Sequence, residues 1–401
     1  MSEIVVTGLG FVSAWGCDEA SVLAALEGGT DACRRLPADD PRRLGRVDPA
    51  LVPDTDLRAG WVTDFAPSLA IDPGRLRRMD FVSRMLVTAC GAALADAGLS
   101  GDAGPPRNRV GLAIGSRLGN QRETAAYLDR VLERGGGAGQ PFLFPNLVLN
   151  AAAGQAAIEF SLSGPCLAVS LAEASGEAAL AAACGMLATG RCDAVVAGGV
   201  DELSLPLIDL LAMQGLLAPD VAASNRVRKR STGRLVPGEG AACLVLERRP
   251  DALQRQAPVR AGIASATTHG VPAAPWDFGR ADAIARIFAA CADSPESIAL
   301  VIAGPRALAT RCRAERLLLE QLATQRRAAG PALVRPREGY GDFGACGALD
   351  TALACLVAAR GRLPAACGRS DPLVPGEHIL VTGCGRAGSV APVLIEVPGP
   401  A

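Results

Sequence analysis

The chain has almost no histidine, lysine or tyrosine. Among its 401 residues are 2 histidines, 2 tyrosines and one lysine, Lys229. His269 follows a Thr-Thr pair and His378 immediately precedes an apolar run, so neither lies in a pattern typical of a catalytic loop. Imidazole chemistry is therefore restricted to two positions, and we expect both histidines to be structural or surface residues.

Paired cysteine motifs are absent as well. The 13 cysteines are scattered, several of them within apolar runs, and no Cys-x-x-Cys pair occurs. A disulfide framework or a structural zinc site normally shows cysteines at short, regular spacings. We therefore expect reduced, buried thiols that pack as small apolar groups, and no metal site.

Neither charge of one sign nor long apolar runs dominate the sequence. The 40 basic and 41 acidic residues give a net charge of −1, which predicts no nucleic-acid binding. The longest weakly polar stretch, Ala178–Thr189, is too short to cross a membrane. The acidic start, Met1–Thr7, runs directly into a strand and lacks the pattern of a signal peptide. We expect a soluble, cytoplasmic protein without a membrane partner.

Short apolar segments punctuated by glycine alternate with Ala/Leu-rich segments along the whole chain. Runs such as Ile4–Gly10 and Arg109–Gly115 predict buried strands, and Arg248–Ala252 is a plausible boundary between two halves of similar order. The pattern indicates an α/β fold with mixed sheets between helices. Further helices are predicted at 81–97, 121–134, 174–189, 280–292, 311–323 and 348–359, with strands at 193–199, 241–247, 259–264 and 299–303 and a final strand at 379–382.

The segment Gly164–Gly176 reads Gly-Pro-Cys-Leu-Ala-Val-Ser-Leu-Ala-Glu-Ala-Ser-Gly. It resembles the nucleophile elbow of β-ketoacyl synthases, which ends Val-Ser-Thr-Ala-Cys-Ala-Ser-Gly. Glu173 stands where that family has its cysteine, and a carboxylate cannot accept an acyl group from a thioester as a thiolate does. The agreeing positions are Val169, Ser170, Ala172, Ala174, Ser175 and Gly176.

The resemblance extends over essentially the whole chain. Similar motifs are Val5-Val-Thr-Gly-Leu-Gly, Arg78-Met-Asp-Phe, Pro145-Asn-Leu-Val-Leu-Asn, Ala197-Gly-Gly-Val-Asp and Val236-Pro-Gly-Glu-Gly. It implies an α/β, thiolase-like fold whose duplicated halves stack in α-β-α-β-α layers. The implied domains are an N-terminal ketosynthase-like half, residues 1–250, and a C-terminal ketosynthase-like half, residues 251–401.

The family's two catalytic histidines have no counterpart here. Gly304 stands in place of the histidine of the His-Gly-Thr-Gly-Thr loop, and Gly341 in place of the histidine of the Gly-His-x-x-Gly-Ala-Ala-Gly turn, to within one residue. Those histidines stabilise the enolate and oxyanion that form when a malonyl carrier loses CO2. Cys384 also replaces the phenylalanine of the family's gating loop. The resemblance therefore implies a scaffold without condensing chemistry.

Loss of the whole triad is similar to the chain-length factor of type II polyketide synthases. That resemblance implies a heterodimer with an active ketosynthase, a tunnel that limits the length of an aromatic or polyene polyketide, and substrate presented on the phosphopantetheine of an acyl carrier protein, with no covalently bound cofactor. Chain-length factors commonly carry Gln at the nucleophile position, and Glu173 departs from this. It either fills the old cysteine pocket and caps the central helix or acts as a functional carboxylate.

The helix predicted at Gln121–Arg134 carries a stripe of mostly apolar residues at i, i+3, i+4, i+7 and i+8. Ordinary core packing would explain the stripe. The resemblance instead implies that it faces the dimer interface and lines the tunnel, with Tyr127 as a gate and Leu207 as a further lining residue. The stripe consists of Thr124, Tyr127, Leu128, Val131 and Leu132.

Other functions stay open at this stage. A malonyl-carrier decarboxylase could use Glu173, but relatives with that activity depend on the missing histidines. Cys166 could replace the nucleophile, although no base accompanies it. A homodimeric pseudoenzyme would only bind the carrier protein. The basic run Arg226–Arg230 is either a solvated loop or a contact for an acidic carrier.

Overall fold

The predicted alternation of strands and helices is present in the structure. The computed structural model describes residues 2–35, 58–63, 65, 71, 73–101, 104–214, 216–217, 235–271, 279–292, 294–306, 309–325, 330–385 and 388–399. The basic run Arg226–Arg230 lies outside the described residues. The helices are α1 Glu19–Gly28, α2 Pro73–Leu76, α3 Phe81–Asp96, α4 Gln121–Arg134, α5 Phe144–Leu147, α6 Ala151–Glu159, α7 Ser175–Ala188, α8 Leu205–Met213, α9 Arg249–Gln254, α10 Gly279–Ala290, α11 Ala309–Gln325, α12 Arg337–Tyr340 and α13 Cys346–Arg360.

Most of the strands join into one large sheet. They are β1 Ile4–Val12, β2 Arg34–Arg35, β3 Arg58–Ala59, β4 Val110–Gly115, β5 Cys166–Val169, β6 Ala194–Asp201, β7 Gly240–Arg248, β8 Ala261–Ala266, β9 His269–Gly270, β10 Ile298–Ile302, β11 Ala332–Val334, β12 His378–Cys384 and β13 Ser389–Glu396. The 11-stranded sheet has the order β11-β10-β12-β13-β8-β1-β7-β6-β4-β5, with β9 beside β13.

The order of this sheet repeats about its centre. From one edge, β5, β4 and β6 are parallel, and β7 and β1 follow antiparallel. From the other edge, β11, β10 and β12 are parallel, and β13 and β8 follow antiparallel. The two series meet where β1 pairs with β8. This is the order expected of a duplicated α/β unit.

The helices form three layers around the two halves of the sheet. α7 and α13 contact each other and strands of both halves, so they form the central layer. α3 and α6 cover the outer face of the first half, and α10 and α11 cover that of the second. The Ala-rich sequence of α7 suits this position, because small side chains permit close helix packing: a Cβ at Gly176 would lie 2.5 Å from the backbone N of Ala348 in α13.

Two details of the sequence prediction are wrong. The strand expected at 379–382 is not the last, because β13 follows it and pairs with both β12 and β8. Pro392 lies within β13 and normally argues against an interior strand. The central helix begins at Ser175, one residue later than expected, after a 3₁₀ turn.

All 13 cysteines lie in the described residues and none of them forms a disulfide bond; Cys166 is exposed. Within the described part of the chain, no group of three or more His, Cys, Asp or Glu side chains has a geometry that could hold a metal ion. None of the described helices combines the length and apolar character needed to cross a membrane.

Candidate functional site

The elbow is a tight turn between β5 and α7. Residues Ala172–Ala174 form one 3₁₀ turn, in which Ala172 has a φ of 52°, a value that costs energy for a residue with a side chain. Ser175 ties the turn together, since its Oγ donates to the carbonyl of Ala172 (2.7 Å) and accepts from the backbone N–H of Leu171 (2.9 Å). The turn holds Glu173 at the start of the central helix.

Glu173 is buried and ion-paired. Only 5% of the residue is exposed, and its Oε1 lies 3.4 Å from Nη1 of Arg117. Arg117 follows β4, and its backbone N–H donates to Oδ1 of Asp201 (2.9 Å). The expectation that this carboxyl fills the old nucleophile pocket stays a prediction, and the ion pair supplies the opposite charge that a buried carboxylate requires.

A small cavity adjoins Glu173. It has a volume of about 30 Å³, and a single water needs roughly 10–15 Å³ of such space, so it holds a few water molecules at most. Leu207, on α8, lines this cavity, whereas the α4 stripe does not reach it. The cavity lining consists of Arg117, Leu118, Glu173, Asp201, Glu202, Leu207, Leu211, Leu216, Leu235, Arg311, Asp342, Phe343 and Gly344.

An arginine occupies the space beside Gly304. A Cβ on Gly304 would lie 2.6 Å from Cζ of Arg311, so the guanidinium fills the volume that a side chain would need. Arg311 is 2% exposed and donates through Nη2 to the carbonyl of Pro305 (2.8 Å). Its Nε lies 3.9 Å from Oε1 of Glu315, which is completely buried. A cation therefore faces the cavity from the Gly304 side.

The backbone around Gly341 leaves no room for a side chain. Gly341 has a φ of 91°, and a Cβ there would lie 2.7 Å from both the Cα of Gly238 and the carbonyl oxygen of Pro237. A histidine at this position would require the turn to adopt another conformation. The next two residues, Asp342 and Phe343, line the cavity instead.

Two further carboxyls at the cavity have perturbed pKa values. Asp201 accepts from Oγ of Ser116 (2.8 Å), yet burial raises its pKa to about 6. Burial likewise raises the pKa of Glu202 to about 7, against the opposing effect of Arg122. Neither described histidine is near: His269 lies on the edge strand β9, and Nδ1 of His378 hydrogen-bonds with Oγ of Ser297.

The predicted stripe on α4 does not pack into the core. No residue of α4 is buried, so the alternative of ordinary core packing is wrong. Thr124, Tyr127 and Val131 are half-buried, while Leu128 is 51% exposed and Leu132 is 81% exposed.

This stripe continues into a larger exposed surface, which we call the apolar face. α4 contacts α5, α5 contacts α6, and α6 contacts the edge strand β5. Clusters of exposed apolar side chains commonly mark interaction sites. The apolar face consists of Leu128, Leu132, Phe142, Phe144, Val148, Leu149, Ile158 and Leu167.

Two residues of the site, Arg117 and Arg311, are not predicted by the sequence motifs. Arg117 lies two residues after the buried strand β4, in a loop position where a charged residue is a signal that a site begins. Arg311 gives no such signal, because it lies within a helix rich in charged residues. Only the folded chain brings it to Gly304.

Comparisons with known proteins agree with this fold. Residues 1–252 match the family model described as Beta-ketoacyl synthase, N-terminal domain. The 3-oxoacyl-[acyl-carrier-protein] synthase 2 of Coxiella burnetii is 31% identical over 266 residues, which cover 65% of this chain but only 61% of that protein. A putative polyketide beta-ketoacyl synthase 2 of Streptomyces halstedii is 29% identical over 371 residues, covering 88% of this chain and 84% of that protein.

A solved structure resembles the whole chain. The ishigamide ketosynthase/chain length factor superposes with a TM-score of 0.80 at 24% identity, covering 99% of this chain and 100% of the other. At that identity the likeness shows the fold alone. It confirms the thiolase-like α/β fold that the sequence motifs implied.

Proposed function

Because the chain belongs to the β-ketoacyl synthase family, we propose that it is the non-catalytic chain-length factor of a type II polyketide synthase. In this role it pairs with an active ketosynthase and shapes the tunnel that limits the length of an aromatic or polyene polyketide. The observation that carries the proposal is Glu173, which stands at the nucleophile position and is held there by Arg117.

The surroundings of Glu173 support the absence of condensing chemistry in this subunit. A carboxylate engaged with a guanidinium is a poor nucleophile towards a thioester. Arg311 fills the space at Gly304, and backbone atoms surround Gly341. The cavity of about 30 Å³ has no room for a malonyl thioester, which counts against a decarboxylase that uses Glu173. These features support the proposal that the chain is not an enzyme on its own.

The apolar face supports pairing with a second subunit. β5 is an edge strand whose residues Cys166 and Leu167 are exposed, so its free edge and the neighbouring apolar side chains offer one continuous surface. Obligate interfaces are large and apolar, and the exposed side chains of the apolar face are of the kind that such an interface buries. In the complex, Thr124, Tyr127, Leu128 and Val131 would line the tunnel.

The substrate is carried on the phosphopantetheine of an acyl carrier protein, and the subunit itself holds no covalent cofactor. The two halves, residues 1–250 and 251–401, are ketosynthase-like domains, which the repeated strand order supports. Leu207 is a lining residue at the cavity side of α8. The complex functions in the cytoplasm.

The role of Glu173 is tested in the complex with the partner ketosynthase, using carrier protein and malonyl-CoA. We expect Glu173→Gln to leave the rate of product formation within about twofold, because the carboxyl takes no part in the reaction. Replacing the partner's active-site cysteine with alanine abolishes product. The proposal fails if the isolated chain releases CO2 from malonyl carrier and Glu173→Ala stops that release.

A further inference from the structure

The first turn of α4 rests on two buried carboxyls from other segments of the chain. Glu202, which directly follows β6, accepts through Oε1 from the backbone N–H of Arg122 (2.7 Å), and its Oε2 lies 3.4 Å from Nε of Arg122. Nη2 of Arg122 also donates to Oε2 of Glu239 (2.6 Å). Glu202 and Glu239 are 2% and 0% exposed, so both carboxyls are cut off from solvent at the start of this helix.

Two more carboxyls lie beside this pair. Asp80, at the start of α3, is 4% exposed and accepts from the backbone N–H (2.7 Å) and Oγ (3.0 Å) of Ser83. Glu123 follows Arg122 on α4, and its Oε2 is buried without a hydrogen-bond partner among the described residues. Burial, and after it the charge of Asp80, raises the pKa of Glu123. We call these four groups the carboxyl cluster: Asp80, Glu123, Glu202 and Glu239.

The carboxyl cluster contains more acids than the neighbouring guanidiniums can balance. Arg122 contacts Glu202 and Glu239, and Arg84 acts on Asp80 and Glu123. The small cavity that Glu202 lines adds further acids as well as cations. A buried carboxylate without a matching cation is costly, so the cluster is most stable when it keeps a proton. The other charged groups of that cavity are Arg117, Glu173, Asp201, Arg311 and Asp342.

Glu202 is the member of the cluster best placed to keep this proton. Burial raises its pKa to about 7; Arg122 opposes the rise, and the charges of Glu239 and Asp80 add to it. A protonated Glu202 still accepts from the backbone N–H of Arg122 through its carbonyl oxygen. If the first turn of α4 left its seat, Glu202 would meet water and regain its ordinary, lower pKa. The seated helix therefore binds the proton more tightly than the opened one, and rising pH favours opening.

We propose that the carboxyl cluster is a proton-operated latch, which holds the first turn of α4 in place while Glu202 is protonated and loosens it when that proton is lost. The latch acts on the helix that carries Tyr127 and the exposed residues Leu128 and Leu132. All of its groups belong to this chain. It can therefore be tested on the isolated chain, and its failure would leave the chain-length role untouched.

The test is hydrogen exchange of the α4 amides, followed by mass spectrometry of the isolated chain at pH 5 and pH 8. Rates are divided by those of unstructured peptides at the same pH, and the protection of α4 is expressed relative to that of α13, which removes any change in global stability. We expect this relative protection to fall at least about tenfold from pH 5 to pH 8 in the wild type. In Glu202→Gln, which keeps the acceptor oxygen but cannot ionise, it should change by less than about twofold.

Glu133→Gln is the matched control, because Glu133 is an exposed acid on the same helix. This variant should show the same fall in protection as the wild type. If Glu202→Gln does not fold, Asp80→Asn removes one neighbouring charge and keeps an oxygen that can cap α3. Its fall in protection should be less than half the wild-type factor.

Two results would overturn the proposal. One is a relative protection of α4 in the wild type that is the same at pH 5 and pH 8. The other is a fall of the wild-type size in folded Glu202→Gln or, where that variant does not fold, in Asp80→Asn.

Discussion

Glu177 is a buried carboxyl in the central layer, one turn beyond the elbow. Its Oε1 accepts from Nη2 of Arg337 (3.2 Å), while its Oε2 has no hydrogen-bond partner among the described residues. Arg337 also donates to Oδ2 of Asp350 (2.6 Å), whose Oδ1 accepts from Oη of Tyr340 (2.7 Å). One guanidinium thus serves two buried carboxyls, and burial raises the pKa of Glu177 to about 7.

This raised pKa makes the stability of the chain depend on pH. Between about pH 4.5 and pH 7 the folded chain keeps a proton on Glu177 that the unfolded chain has released, so the free energy of unfolding falls as the pH rises through that window. Glu177→Gln is neutral at every pH and removes this dependence. We expect the free energy of unfolding of the variant, relative to that of the wild type, to rise by about 2 kcal/mol from pH 5 to pH 8. Urea unfolding at each pH measures this difference.

Glu320→Gln is the matched control, because Glu320 is exposed on α11 and pairs only loosely with Arg316 (3.8 Å). Its free energy of unfolding should follow that of the wild type across the same range. A Glu177→Gln variant whose stability runs parallel to wild type from pH 5 to pH 8 would show that Glu177 is ionised throughout.

The sequence predicts which catalytic groups are missing, but not which side chains take their places. The loss of the nucleophile is visible in the sequence, because Glu173 lies in a motif with a fixed spacing. What replaces the missing groups is not visible, because Arg117 lies 56 residues before Glu173 in the sequence and meets it only through the parallel pairing of β4 with β5. The same holds for Arg311 and the space at Gly304.

At the scale of elements, α4 is anchored at its first turn. Arg122, in its first turn, donates to Oε2 of Glu239 (2.6 Å) and to the carbonyl of Leu203 (2.8 Å). Its Cζ also lies 4.7 Å from the ring centroid of Phe81. The rest of the helix projects the exposed residues Leu128 and Leu132. We expect the partner subunit to cover this part of α4.

Charges placed on α4 should therefore prevent assembly without unfolding the chain. Leu128→Asp/Leu132→Asp is expected to weaken the complex with the ketosynthase at least 100-fold, because two carboxylates would be buried in an apolar interface. The melting temperature of the isolated chain should change by less than about 2 °C, since both leucines are exposed there. Analytical ultracentrifugation of the mixed subunits measures the first effect, and thermal unfolding measures the second.

Leu253→Asp provides the control for this experiment. Leu253 is 59% exposed on α9, outside the apolar face, so the substitution should leave assembly unchanged. If the α4 variant assembles as well as the Leu253 variant, α4 is not part of the interface.

The spacing of apolar residues predicts most of the helices and strands, and the exceptions have physical causes. The buried strands and Ala-rich helices have patterns that few other structures satisfy. The apolar pattern does not predict β13, because Pro392 interrupts it. In the fold, the carbonyl of Pro392 still accepts a hydrogen bond from the backbone N–H of Thr267. The stripe correctly predicts the helix α4, but the periodicity of apolar residues shows only that one face of the helix is apolar. Whether the core or a partner covers it depends on the packing of the whole chain.

At the scale of the whole molecule, the two halves of the sheet differ at their outer edges. β11 ends the second half, and two of its three residues are buried, with the turn Ala365–Cys367 packed against it. β5 ends the first half, and none of its four residues is buried. Duplication alone would make the edges alike. Among the described residues, β5 is therefore the more exposed edge and lies next to the apolar face, and this asymmetry is what we expect of a chain that pairs on one side.

The most direct test of the chain-length role is to co-express the chain with its partner ketosynthase and to measure complex mass and product length. We expect light-scattering chromatography to show a 1:1 complex. Tyr127→Ala should lengthen the product by at least one extension unit, and Tyr127→Trp should shorten it, because the bulk of this side chain limits the tunnel. A chain that stays a homodimer beside the ketosynthase, or a product length that neither substitution changes, would contradict the account.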